Sequence, residues 1–121
     1  MSAFRDLDVY RRAAGLADAV YSAVGGWSSF DRFALGGQLV RAADSIGANI
    51  AEAFGRWSAK DQRRMLYMAR GSAYETEHWL ERAAVRGLVL PNDAVAHARQ
   101  LSRMLNGLIA KHRAQGLRTE N

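Results

Sequence analysis

The chain contains no cysteine. That excludes disulfide frameworks, thiolate zinc sites and cysteine nucleophiles, and it is compatible with a reducing compartment. Proline occurs once, at Pro91, and lysine only twice, at Lys60 and Lys111, against fifteen arginines. This usage points to a helical protein from an arginine-using proteome. No stretch approaches the roughly 18 uninterrupted apolar residues of a membrane span. The opening residues Met1–Ser2–Ala3–Phe4–Arg5–Asp6 place charge where a signal peptide needs an apolar run. A soluble, cytoplasmic protein is the expectation. Linkers, repeats, low-complexity tracts and strand-like alternation are also missing. The 121 residues make one domain, 1–121, long enough for a single hydrophobic core.

What is present is helical periodicity, in four segments. The first spans about 6–24, with Val9, Ala13, Leu16, Ala17, Val20 and Val24 as its apolar stripe. Asp6 and Asp8 suit its positive dipole end, and Gly25–Gly26 stop it. The second spans about 31–54, with Asp31 as N-cap and a stripe from Leu35 through Leu39, Ile46 and Ile50 to Ala53. Gly36–Gly37 weaken its start unless a neighbour packs there. The third spans about 58–86: Ser58 with Asp61 three residues on forms a short-armed capping box, and Gly87–Leu88 reads as a Schellman ending. The fourth spans about 91–113, starting at Pro91–Asn92–Asp93 and carrying Val95, Ala98, Leu101, Leu105, Leu108 and Ile109. Four helices of about 20 residues, each about 30 Å long, with short connections, predict an all-α, antiparallel up-down-up-down four-helix bundle.

Within this pattern Ser45 to Arg56 is unusual. Ile46, Asn49, Ile50 and Ala53 fall at i, i+3, i+4 and i+7, so Asn49 shares a stripe with two isoleucines. An unpaired Asn there costs about 1–3 kcal/mol, which calls for a partner. Glycine inside a helix costs about 1 kcal/mol against Ala, so Gly47 and Gly71 are read as close approaches between backbones. Asn49, Glu52, Ser72 and Glu75 are expected to form a polar network tying the second helix to the third. The third helix also has a second face of Tyr67, Gly71, Tyr74 and His78, with Trp79 between the two stripes, while the second helix is rich in Ala and Gly. Surplus aromatic surface facing small-sided surface points to a homo-oligomer. The alternative is close packing of those helices inside one monomer.

Phe4–Arg5–Asp6–Leu7–Asp8–Val9–Tyr10, Gln38 to Ile46, Ala48–Asn49–Ile50–Ala51–Glu52, and Gly71–Ser72 with Glu75 together resemble the four-helix-bundle proteins encoded in 23S rRNA intervening sequences. The likeness runs from Phe4 to about Leu90, and the Asn–Ile–Ala–Glu core with the Gly–Ser…Glu element is its most specific part. Gly47 stands where the family commonly has proline, and Ala53 where it commonly has glycine; neither change removes a functional group. The resemblance implies a bundle assembled as a ring, usually a homopentamer. Related accessory proteins of diversity-generating retroelements are similar in fold and are thought to bind nucleic acid and a reverse transcriptase.

An enzyme is not expected. Glu75–Thr76–Glu77–His78 contains the Glu-x-x-His spacing of di-iron bundles, but such a site needs a second pair and two further carboxylates. Glu52 supplies one carboxylate at most. His97 and His112 have no acidic residues at metal spacing, and no phosphate-binding glycine loop occurs. No metal or cofactor is expected.

The basic residues give a better lead. Net charge is +5, a modest attraction for polyanions. Arg56, Lys60, Arg63 and Arg64 cluster beside Trp57 at the second turn, where a helix N-terminus adds its positive dipole end. Guanidinium groups beside an exposed indole suit single-stranded RNA: phosphate pairing plus base stacking. Arg99, Arg103, Lys111, Arg113 and Arg118 make the C-terminal region basic too, and Arg99 and Arg103 are a second candidate contact. A ring would multiply a weak contact by avidity. The expectation is an oligomeric nucleic-acid-binding protein, RNA favoured over DNA. Two alternatives stay open: ordinary solvated helix faces with Trp57 tucked under the turn, or an adaptor oligomer whose partner is a protein.

Overall fold

Helix starts follow from local cap chemistry. The computed structural model describes residues 4–117; the candidate Arg118 and the opening Met1–Ser2–Ala3 lie outside them. Helix α1 (Asp8–Gly25) begins two residues after the expected start, because Leu7 is extended and offers no side-chain cap. Asp8 then stands in its first turn. At the next start Ser28, not Asp31, is the N-cap: its Oγ accepts from the Asp31 N–H at 3.1 Å and donates to the Asp31 carboxylate at 3.0 Å. Asp31 thus becomes the third residue of the turn. The chain runs on through α2 (Ser29–Asp31), a π turn (Arg32–Gly36) closed by the Gly37 N–H on the Arg32 carbonyl, and α3 (Gly37–Gly55).

The third predicted helix matches the structure closely. Ser58 caps α4 (Ala59–Val85) by accepting from the Asp61 N–H at 3.1 Å. Beyond its end Gly87 has φ +76°, and Leu88 and Gly87 N–H groups bond the Ala83 and Ala84 carbonyls, the two bonds of a Schellman ending. Helix α5 (Ala94–Gln115) starts after Pro91–Asn92–Asp93, with Asp93 in the left-handed region at φ 56°, which Asp tolerates better than most residues.

These four helical segments make an all-α protein, with no strand among the described residues. Helix α1 packs on α3, α3 on α4, α4 on α5, and α5 back on α1. The predicted stripes meet in the middle: Leu39, Ile46, Ile50, Leu66, Leu80, Leu101 and Leu105 are fully buried, each contributing about 1.5–3 kcal/mol of transfer free energy. Trp27 joins this core from the link after α1, donating its Nε1–H to the Val89 carbonyl at 2.7 Å and so tying down the link before α5.

The glycines divide. A Cβ on Gly36 would come within 2.6 Å of Val24 Cγ1, so α1 packs directly on this backbone. A Cβ on Gly47 would meet the Tyr10 ring at 3.4 Å; the neighbour is a side chain, not a backbone. Gly71 corrects the expectation: it is exposed, and a Cβ there would meet nothing within 4 Å among the described residues. No helix of the described residues is long and apolar enough to cross a membrane.

Candidate nucleic-acid interface

The link from α3 to α4 turns a corner in three residues. Arg56 closes α3 in an extended conformation, and Ser58 opens α4. Trp57 between them is held by neither helix and is 98 % exposed. The alternative of an indole tucked under the turn is thereby excluded. Lys60, Arg63 and Arg64 follow in the first two turns of α4, with Lys60 and Arg64 exposed and Arg63 half-buried.

These cations differ in how far their charge is cancelled. Arg56 pairs with Glu52, one turn back on α3. Arg64 lies 3.8 Å from Asp61, a loose exposed pair contributing at most about 1 kcal/mol. No ion pair to Lys60 or Arg63 occurs among the described residues. Arg99 stands apart from the corner. It donates to Glu77 at 2.9 Å and Glu81 at 2.8 Å, bridging α5 to α4, and those hydrogen bonds raise its already high pKa. Its charge is neutralised within the fold, so it is a poor phosphate contact. Arg103 is exposed on the same helix.

The four polar-network candidates separate. Asn49 Nδ2 reaches Ser72 Oγ at 3.5 Å, linking α3 to α4 at the limit of a hydrogen bond. Glu52 turns to Arg56, and exposed Glu75 accepts from Trp79 Nε1 at 3.2 Å. The carboxylates sit at the edge of the α3–α4 contact, where solvent and local partners reach them first. His78 packs edge-on against Trp79, ring centres 4.7 Å apart.

Beneath the corner lies a group that sequence spacing does not single out. His112 on α5 is buried, its Nε2 2.9 Å from Gln62 Oε1. Gln62 Nε2 in turn donates to the Arg56 carbonyl at 3.0 Å. Because the amide nitrogen is engaged there, the amide oxygen faces the imidazole, which must donate from Nε2; Nδ1 is buried with no partner among the described residues. Burial first, and the nearby Arg63 second, push the His112 pKa below its ordinary 6.5. The pairing spans 50 residues of chain, so no local motif announces it.

These features define an all-α four-helix protein with an exposed indole set among basic residues at one corner. Residues 5–108 match the family model described as 23S rRNA-intervening sequence protein, and the chain belongs to that family. No curated protein gives a significant match.

Proposed function

We propose that this is a non-enzymatic, cytoplasmic, RNA-binding protein that works as a ring of identical subunits, five being the number the family resemblance favours. The observation that carries RNA binding is Trp57: an indole 98 % exposed on a three-residue link, with Lys60, Arg63 and Arg64 immediately after it. An exposed indole adds nothing to the fold, whereas stacking on a base stabilises a complex by about 1–3 kcal/mol. The family's connection with ribosomal RNA intervening sequences supports RNA over DNA.

An antiparallel up-down-up-down arrangement fits the α4–α5 pairings, in which Gln62 meets His112 while Glu77 and Glu81 meet Arg99. Ring assembly is supported by an open groove of about 320 Å³ between α1 and α3, floored by small residues such as Ala14, Ala17, Gly47, Ala48 and Ala51. Tyr74 and Met68 on α4, each about half exposed, are apolar surface for a neighbouring subunit to cover.

Replacing both Arg63 and Arg64 with Glu is the direct test. RNA affinity should fall and its salt dependence flatten, with oligomeric mass and helicity unchanged. Unchanged affinity, with loss on reversing Arg99 and Arg103, moves the contact to α5. The adaptor reading has its own support at the opposite end of the helices, where Phe30 and Phe33 are 75 % and 90 % exposed. If neither reversal affects RNA, a protein partner on those rings is the better account.

A further inference from the structure

We infer that Tyr67, Arg70 and Arg113 form a second phosphate clamp, which extends the RNA contact from the Trp57 corner along the α4–α5 seam; this rests on the RNA-binding reading above. Lys60, Arg63, Arg64, Tyr67 and Arg70 follow one another along α4 at helical spacing, so the clamp continues the stripe that starts at the corner. The Arg70 guanidinium lies 5.1 Å from the Tyr67 ring centre and that of Arg113 lies 5.7 Å away, so one ring orders two cations from different helices. Arg113 also donates to the Tyr67 hydroxyl, and Arg70 donates to Asn106 Oδ1 at 2.8 Å.

The partners of both cations are neutral. Arg12, Arg56 and Arg99 each face a carboxylate, whereas Arg70 and Arg113 have no ion pair among the described residues. Two guanidiniums are thus held in place with their charge uncancelled and donors left over. Cations ordered in this way pair with backbone phosphates at a reduced cost, since much of the ordering is met before the ligand arrives. Tyr67 lies nine positions beyond Ser58, a rise of roughly 14 Å along the helix. A single strand with one base on Trp57 therefore places a phosphate a few nucleotides away on the clamp.

The test uses the full chain with a fluorescent 12-nucleotide oligouridine, and competition by inorganic phosphate. Replacing Arg70 and Arg113 together with Gln should weaken binding about tenfold at moderate salt. The slope of log affinity against log salt should drop by about 0.7 for each phosphate that is no longer neutralised. Tyr67→Phe, which keeps the ring and removes only the hydroxyl that holds Arg113, should cost two- to threefold. Millimolar phosphate should compete weakly in the wild type, because the clamp is one part of a longer contact. A lower melting temperature with unchanged salt slope in the double variant overturns the clamp and leaves these residues as an α4–α5 brace. Full affinity in the double variant, with loss in the Arg63/Arg64 reversal, also overturns it while the corner reading stands. Wild-type protein that fails to bind the oligomer removes both.

Discussion

The same five-residue pattern, Trp-Ser-x-x-Asp, opens two helices of this chain: Trp27–Ser28 leads to Asp31, and Trp57–Ser58 leads to Asp61. The backbone cap is the same in the two places, each Oγ accepting from the Asp N–H at 3.1 Å, and Ser28 Oγ also donates to the Asp31 carboxylate at 3.0 Å. The tryptophans have opposite fates. Trp27 is 6 % exposed and Trp57 98 % exposed. A staple between the residue before the cap and the fourth helical residue explains neither, because those fourth positions are Arg32 and Gln62, both polar. Trp27 is buried by distant groups: it packs near Gly36 and donates to the Val89 carbonyl. Its neighbour Arg32 is tied into the same link, donating to the Trp27 carbonyl at 2.9 Å. At the other link nothing among the described residues covers the indole, and the cations beside it keep much of their charge. A cap motif fixes where a helix starts, while the fate of the aromatic beside it is decided by which other segment arrives.

The contrast is broken most directly by removing each indole. Trp27→Ala deletes a buried side chain and leaves the Val89 carbonyl without its donor, so stability should fall by about 3–5 kcal/mol. Trp57→Ala removes no packing, and stability should stay within about 0.5 kcal/mol of wild type, while RNA affinity drops with little change in salt slope. Urea denaturation of both variants decides the matter. Equal losses of stability would mean that Trp57 is covered in the assembled protein and serves subunit contact instead.

Two glycines sharpen the comparison at a smaller scale. Gly36 sits in the Trp27 region, where an added Cβ would lie 2.6 Å from Val24 Cγ1. Gly36→Ala should therefore destabilise by about 1–3 kcal/mol through overpacking. Gly71 has open space around it, and Gly71→Ala should stabilise by up to about 1 kcal/mol from helix propensity alone. Thermal melts of the pair measure both signs. A destabilised Gly71→Ala in the oligomer would place that face against a neighbouring subunit.

What is legible in the sequence, and what is not, has a physical origin. The four stripes, the Ser58 cap and the Gly87 ending are legible because each depends on residues within one or two turns. The start of the second helix is misplaced because Ser28 and Asp31 are both competent caps three residues apart. Only the extended backbone at Ser28, ψ 159°, shows which one is used. Asn49 points correctly to the α3–α4 seam, yet its carboxylate companions Glu52 and Glu75 find nearer partners. The corner cations are visible as a cluster, but their state is not. That Glu77 and Glu81 neutralise Arg99, and that Gln62 holds His112, depends on the register of α4 against α5, which no local spacing encodes. Trp57 marks the same limit, since Trp27 carries an identical local signature.

The pH dependence of stability probes the corner from inside. The folded state lowers the His112 pKa below 6.5, by burial and then by Arg63. As pH falls below 6.5 the unfolded chain takes up a proton that the folded chain refuses, and stability declines until the folded imidazole also protonates. Denaturation midpoints should hold above about pH 7 and drop toward pH 5, the drop shrinking in His112→Gln. Arg63→Gln should make the decline shallower, because removing a nearby positive charge brings the folded pKa back toward its ordinary value. A decline that persists undiminished in His112→Gln assigns it to other groups.

The smallest effect is expected midway between the two links, where Asn49 meets Ser72. At 3.5 Å between half-buried side chains the bond is long, and water can replace either partner when one is truncated. Asn49→Ala should therefore lower stability by less than about 1 kcal/mol, below the penalty for a fully buried unpaired amide. Glu75→Ala should cost less still, since the carboxylate is exposed and its partner Trp79 Nε1 can turn to solvent. A double-mutant cycle on Asn49 and Ser72 isolates the pair, and a coupling of a few tenths of a kcal/mol is the expected result. A loss well above about 1 kcal/mol from Asn49→Ala that occurs only in the oligomer, and vanishes in a variant made monomeric, would show that the α3–α4 seam is completed by a neighbouring subunit. Glu52 and Glu75 would then be drawn into the network that the single chain leaves open.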